Sequence, residues 1–192
     1  MAEGVLYLFK AARRPAYRQE NLRLVAAERG SVVEVAYNRM WVAPELLAPG
    51  ALPAGTIADI VVTDRPFSLF VPVRQAEILE ATTDDLTLRL RLLLRSWVAV
   101  EGGDAASFTA AVKAAAPGRF PGDKFVAPKK DTTRLVACYD GREDAGWRAV
   151  VDGLLAVSRA CEDEPYRESV FFRPLAVRAA GELHQARTVP LP

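Results

Sequence analysis

The chain has 192 residues, 51% hydrophobic and 26% charged, a balance that fits one folded domain with an elaboration and excludes global disorder. Its 25 basic and 24 acidic side chains leave a net charge of +1, which excludes a general nucleic-acid coat and leaves only local patches for such binding. No stretch reaches the roughly 20 apolar residues of a membrane-crossing helix. Two distant cysteines, Cys138 and Cys161, and no secretory signal imply a reducing, cytoplasmic setting.

Val5 to Lys10, "VLYLFK", predicts a first strand. The proline of "ARRP" breaks it, and "YRQENLRLVAAERG" predicts a helix, with Gly30 where a left-handed C-terminal residue belongs. "SVVEVAYN" alternates: Val33, Val35 and Tyr37 face one way, Val32, Glu34, Ala36 and Asn38 the other. A long Pro/Gly connection follows. "TIADIVVTD" predicts a strand, and "LFVPVRQAEILEA" another, with Pro72 marking an edge or a bulge.

After the turn "TTDD", leucines recur at 86, 88, 90, 92 and 94 in "LTLRLRLLLRSW". A strand places all of them on one face, leaving Leu93 aside, whereas a helix strands Leu88 and Leu92 among polar residues. Arg89, Arg91, Arg95 and Trp97 then form a row on the opposite face, spaced about 7 Å for every two residues, with Leu93 between Arg91 and Arg95. That row is either a wet sheet face or a partner interface, where arginine and tryptophan are enriched.

Past Gly102-Gly103, a helix capped by Asp104 or Ser107 carries Phe108 and Val112 and stops at Pro117-Gly118. "RFPGDKFVAPKKDTT" is a basic loop with a short strand, and "RLVACYD" a strand in which Cys138 packs as a small buried hydrophobe. An amphipathic helix over 141–164 carries Trp147, Val151, Leu154, Leu155 and Ser158, and "ESVFFRPLAVRA" is a last strand. The order predicts an α+β fold: a mostly antiparallel, barrel-like N-terminal sheet with one helix, followed by an α-β-α-β segment. The halves, 1–101 and 104–192, pack as one unit.

Chemistry-bearing patterns are few. One histidine, His184, and two distant cysteines give no zinc spacing, and no metal or cofactor is expected. "GRFPGDKF" fails the P-loop pattern, and there is no G-x-S-x-G elbow. Two basic groupings remain: Arg13, Arg14, Tyr17 and Arg18, and Lys124, Lys129 and Lys130 beside Phe125. They are ordinary solvated loops, or phosphate contacts beside stacking aromatics. Tyr37 and Trp41 close the strand "SVVEVAYN" and open the long loop. Tyr37 either continues the core face or joins Trp41 in walling a small pocket.

The first strand, the helix, "GSVVEVAYN", the glycine-led "GTIADIVVTD" and the leucine-rich strand together resemble the PUA-like barrels of the EVE and YTH type over roughly residues 5 to 98. The resemblance implies recognition of RNA or of a modified base, with Tyr37 and Trp41 as the matching aromatics. The neutral charge and the insertion from Ala43 to Ala54 depart from that pattern. The expectation is a non-enzymatic recognition or adaptor module for a nucleic-acid element or a protein partner. The alternative is a small metal-independent enzyme.

Overall fold

The computed structural model describes residues 6–11, 15–63, 69–100, 105–114, 126–128 and 136–139, and helical residues at 149–150, 152–153 and 156–157, the side chains of 15–19, 22 and 128 excepted. Along the chain lie β1 (Leu6–Ala11), α1 (Pro15–Ala26), β2 (Val32–Asn38), β3 (Ile57–Thr63), β4 (Phe70–Thr83), β5 (Thr87–Val100), α2 (Ala105–Ala114), β6 (Val126–Pro128) and β7 (Val136–Tyr139). The fold is α+β, with the strands in one curled half-barrel sheet. Its order is β2-β5-β4-β3-β1-β6, with β7 beside the far end of β5. The β1–β3 pair is parallel, and the other ladders are antiparallel. Just past β2, Val42 bridges to Val126 of β6, and the Ala43 amide donates to the Val126 carbonyl at 2.9 Å. The sheet thereby curls back upon its far edge.

Side-chain alternation decides what the sheet encloses. Leu88, Leu90, Leu92 and Leu94 of β5 are fully buried inside the curl, while Arg89 and Arg91 lie outside. Leu86 corrects the expected row: it is 71% exposed. It sits in the turn ahead of β5, where the Asp84 carboxylate accepts from the Leu86 and Thr87 amides at 2.9 and 2.7 Å. β1 and β3 are buried on both faces, which is why "VLYLFK" is apolar without alternation. Leu6, Leu8, Ile60 and Val62 face the barrel core. Tyr7, Phe9 and Val61 face a second core with Phe108 and Val112 of α2. Cys138, expected to be buried, is exposed on β7, whose short ladder covers only the end of β5.

Gly30 takes φ +89 after α1, as its place demanded, and its amide donates to the Leu94 carbonyl at 2.8 Å. The helix expected over 141–164 is described only at its six helical residues; its predicted stripe of Trp147, Val151, Leu154, Leu155 and Ser158 lies outside the described residues, as do Cys161, His184 and the last predicted strand. Val150 and Val157 are buried, and a Cβ on Gly153 would lie 2.5 Å from Cγ1 of Val71.

Three register shifts interrupt the middle of the sheet, one of them between Ile78 and Glu80 of β4, and the other two flank Arg74. Ile60 faces Arg74 but Val61 faces Pro72, so Val73 is an extra residue in β4. Pro72 has no amide to give, and the ladder shifts around it. Arg74 faces Trp97 but Ala76 faces Leu94, so β5 carries an extra residue between Leu94 and Trp97. An extra residue reverses the side-chain parity beyond it. Trp97 therefore leaves the arginine row and turns into the core, 4% exposed, with its indole N–H donating to the Val25 carbonyl at 2.9 Å.

Arg74 fills the space between these bulges and is fully buried. Its Nη1 donates to the carbonyls of Leu24, Val25 and Ala27 at 3.3, 3.1 and 2.6 Å, and its Nε to the Arg95 carbonyl at 3.0 Å. The guanidinium lies 4.0 Å from the centroid of the Trp97 ring. The carbonyls of Leu24, Val25 and Ala27 are the orphans of a helix C-terminus, where a cation is favoured. Burial, and then the charge of Arg29, push the Arg74 pKa down to about 9, so the group remains charged at neutral pH. Arg74→Met would relieve the burial of one charge but strand several carbonyls, at about 1–3 kcal/mol each. The carbonyl loss is the larger effect: urea unfolding should show a net loss of about 2–4 kcal/mol.

Candidate functional site

β1 runs beyond the described length of β6, which pairs with Leu6, Tyr7 and Leu8. Past that point Phe9, Lys10 and Ala11 face the end of β2 across a gap. The gap is a cleft of about 180 Å³ whose walls include Lys10, Glu20, Ala36, Tyr37, Asn38 and Trp41. It is smaller than the roughly 300–1,000 Å³ of sites that enclose a whole drug-sized ligand. A single ring or one side chain fits it.

Lys10 shares the inward parity of Leu6 and Leu8, which carries a cation to the barrel's end. It is 6% exposed. Its Nζ donates to Oε1 of Glu20 at 2.7 Å and lies 4.7 Å from the centroid of the Tyr37 ring. Burial lowers the Lys10 pKa, while the Glu20 charge and hydrogen bond oppose that shift. Tyr37 continues the inward face of Val33 and Val35, and is both core residue and cleft wall. Its hydroxyl is buried with no hydrogen-bond partner among the described residues. Burial, and then the Glu20 charge, raise its pKa well above 10. Trp41 ends a short 3-10 turn, Arg39–Trp41, which Asn38 caps by accepting from the Met40 amide at 3.0 Å. That turn leaves the indole at the rim, 37% exposed.

Tyr37 and Trp41, expected as a pair, thus line one cleft. Lys10 and Glu20 were not anticipated. The parity of Lys10 with two inward leucines was the available signal; nothing local marks Glu20, ten residues on and in another element. Arg13, Arg14, Lys124, Lys129 and Lys130 lie outside the described residues. Tyr17 and Arg18 belong to the first turn of α1, with their side chains undescribed.

The arginine face is compensated by acids of β4 and the turn. Arg95 Nη1 lies 2.9 Å from Glu77 Oε2, Arg91 Nη1 3.5 Å from Glu80 Oε2, and Arg89 Nη2 3.9 Å from Asp84 Oδ2. With Trp97 turned inward, the outer row is Arg89, Arg91 and Arg95, each beside a carboxylate. Among the described residues no helix is long and apolar enough to cross a membrane.

Comparison of the chain with protein-family models, with curated proteins and with solved structures gives no match.

Tyr37→Phe removes a buried hydroxyl that has no hydrogen-bond partner among the described residues and should raise stability by about 1 kcal/mol in thermal or urea unfolding. The wild type should also lose stability as pH rises above 10. There the unfolded tyrosine ionises while the folded one keeps its proton, so the unfolded state binds fewer protons; Tyr37→Phe should flatten that alkaline limb. Arg91→Ala breaks an exposed pair and should cost no more than about 1 kcal/mol.

Proposed function

We propose that the protein is a non-enzymatic recognition module whose cleft between β1 and β2 receives one ring or side chain from a larger partner. The observation that carries this reading is a cleft sized for one ring, walled by Tyr37 and rimmed by the partly exposed Trp41 indole. The indole supplies a flat face for the incoming group. Lys10 is engaged by Glu20 and by the Tyr37 ring, so it shapes the floor of the cleft rather than offering a ready nucleophile.

The partner we favour is a protein. Arg89, Arg91 and Arg95 each face a carboxylate, so this face offers little to phosphates. A nucleic-acid partner is the second reading. It draws on the ring-sized cleft and on the resemblance to PUA-like barrels, with an unstacked base in place of the side chain. An exposed thiol at Cys138 fits a cytoplasmic setting.

Titration with small ring probes, p-cresol and adenosine, followed by NMR, separates these readings. Perturbations centred on Lys10, Tyr37 and Trp41 and lost in Trp41→Ala are the expected result. Shifts scattered over the surface would remove the cleft as a site. A preference for adenosine, together with oligonucleotide binding that weakens steeply with salt, would favour the nucleic-acid reading.

A further inference from the structure

We propose that the outer edge of β2 docks an extended peptide segment of a partner protein, which lays one side chain into the Tyr37–Trp41 cleft. This rests on the recognition reading above and names the form its partner takes.

The hydrogen-bond pattern shows which backbone groups are available. β2 and β5 pair Asn38 with Thr87 and Val32 with Leu93. The Arg39 amide donates to the Leu86 carbonyl at 2.9 Å, and the Leu94 amide to the Ser31 carbonyl at 2.9 Å. In an antiparallel ladder the residues that exchange bonds alternate with residues that turn their N–H and C=O away. Val33, Val35 and Tyr37 therefore bond β5, and Val32, Glu34 and Ala36 direct their backbone groups outward. Among the described residues β2 has no second strand neighbour.

Edges of this kind are normally protected by lysine, proline or a bulge. β2 has none of these, and its ladder with β5 runs without a shift. The edge is also continuous with the cleft, which Ala36 and Asn38 help to line. A strand added beside β2 places the residue opposite Tyr37 on the inward face, at the cleft. The residue opposite Glu34 falls on the outward face.

Those two positions select the occupant. A second copy's β2 does not serve, because its inward side chains, Val33, Val35 and Tyr37, are already packed within its own molecule. A free extended segment has its inward side chains to give. Glu34 is exposed. Glu77, Glu80 and Asp84 all accompany arginines of β5, whereas Glu34 takes part in no ion pair among the described residues. A lysine or arginine opposite Glu34 complements it, and a phosphate does not. The fitting partner is an extended segment with cationic outward residues and one aromatic inward residue, bound by strand addition.

The test uses the full chain and a labelled seven-residue peptide that alternates lysine with threonine and has tyrosine at its centre, read by fluorescence anisotropy. Ala36→Pro removes an outward N–H without breaking a bond to β5, so the fold should stand and affinity fall about tenfold. Glu34→Lys should weaken binding a few-fold. Methylating the peptide's lysine amides, which would bond β2, should abolish binding to the wild-type chain, and this arm holds even if Ala36→Pro fails to fold. Binding that ignores both Ala36→Pro and methylation yet falls in Trp41→Ala would overturn strand addition and leave the cleft reading standing. Binding that responds to the edge changes but not to Trp41→Ala would keep strand addition and remove the cleft. No binding to the wild type would overturn the proposal, as would displacement by an oligonucleotide or a chain dimer dissolved by Ala36→Pro.

Discussion

Arg74 holds a positive charge inside the protein by directing its Nε and Nη1 donors at carbonyl groups, while Nη2 is buried with no partner among the described residues. Three of the carbonyls belong to the end of α1 and one to β5. The arrangement ties three events together: the helix terminates, β4 and β5 bulge, and Trp97 turns inward to lie against the guanidinium and bond the same helix end. Fixing the end of α1 fixes where β2 begins, because Gly30 and Ser31 join the ladder of β5 immediately afterwards. The position of β2 at the edge, and of the cleft beside it, depends on that anchorage.

The cleft is a consequence of incomplete closure. The sheet curls far enough for Val42 to meet Val126, but the described β6 ladder ends at Leu8. Beyond Leu8 the inward parity of β1 delivers Lys10 instead of another leucine, and Glu20 of α1 compensates its charge. A barrel filled by leucines in its middle therefore ends in polar and aromatic groups at its rim. Closed sheets fill their interiors, whereas a gap leaves room for a ligand group.

Much of this architecture was legible in the chain. The alternation of β2 and β5 assigned their faces, Gly30 marked the end of α1, and Pro72 marked an irregularity that proved to be a bulge. The pairing of Tyr37 with Trp41 followed from their places at a strand end and just beyond it. Where the reading failed, local pattern met a tertiary event. Leu86 obeys the leucine period but falls in a turn capped by Asp84. Trp97 obeys the arginine parity, yet one extra residue in β5 reverses it.

By itself the sequence determined the side-chain periods, the helix end and the class of fold, because these arise from residues a few positions apart. Only the tertiary structure decided which strand would lie at the edge, that Arg74 would be buried and capped by carbonyls, and that Lys10 and Glu20 would meet below Tyr37. Those outcomes join groups from separate elements, and their energies exist only once the chain has brought them within bonding distance. No local period records where a bulge will fall or which carboxylate will answer a buried cation.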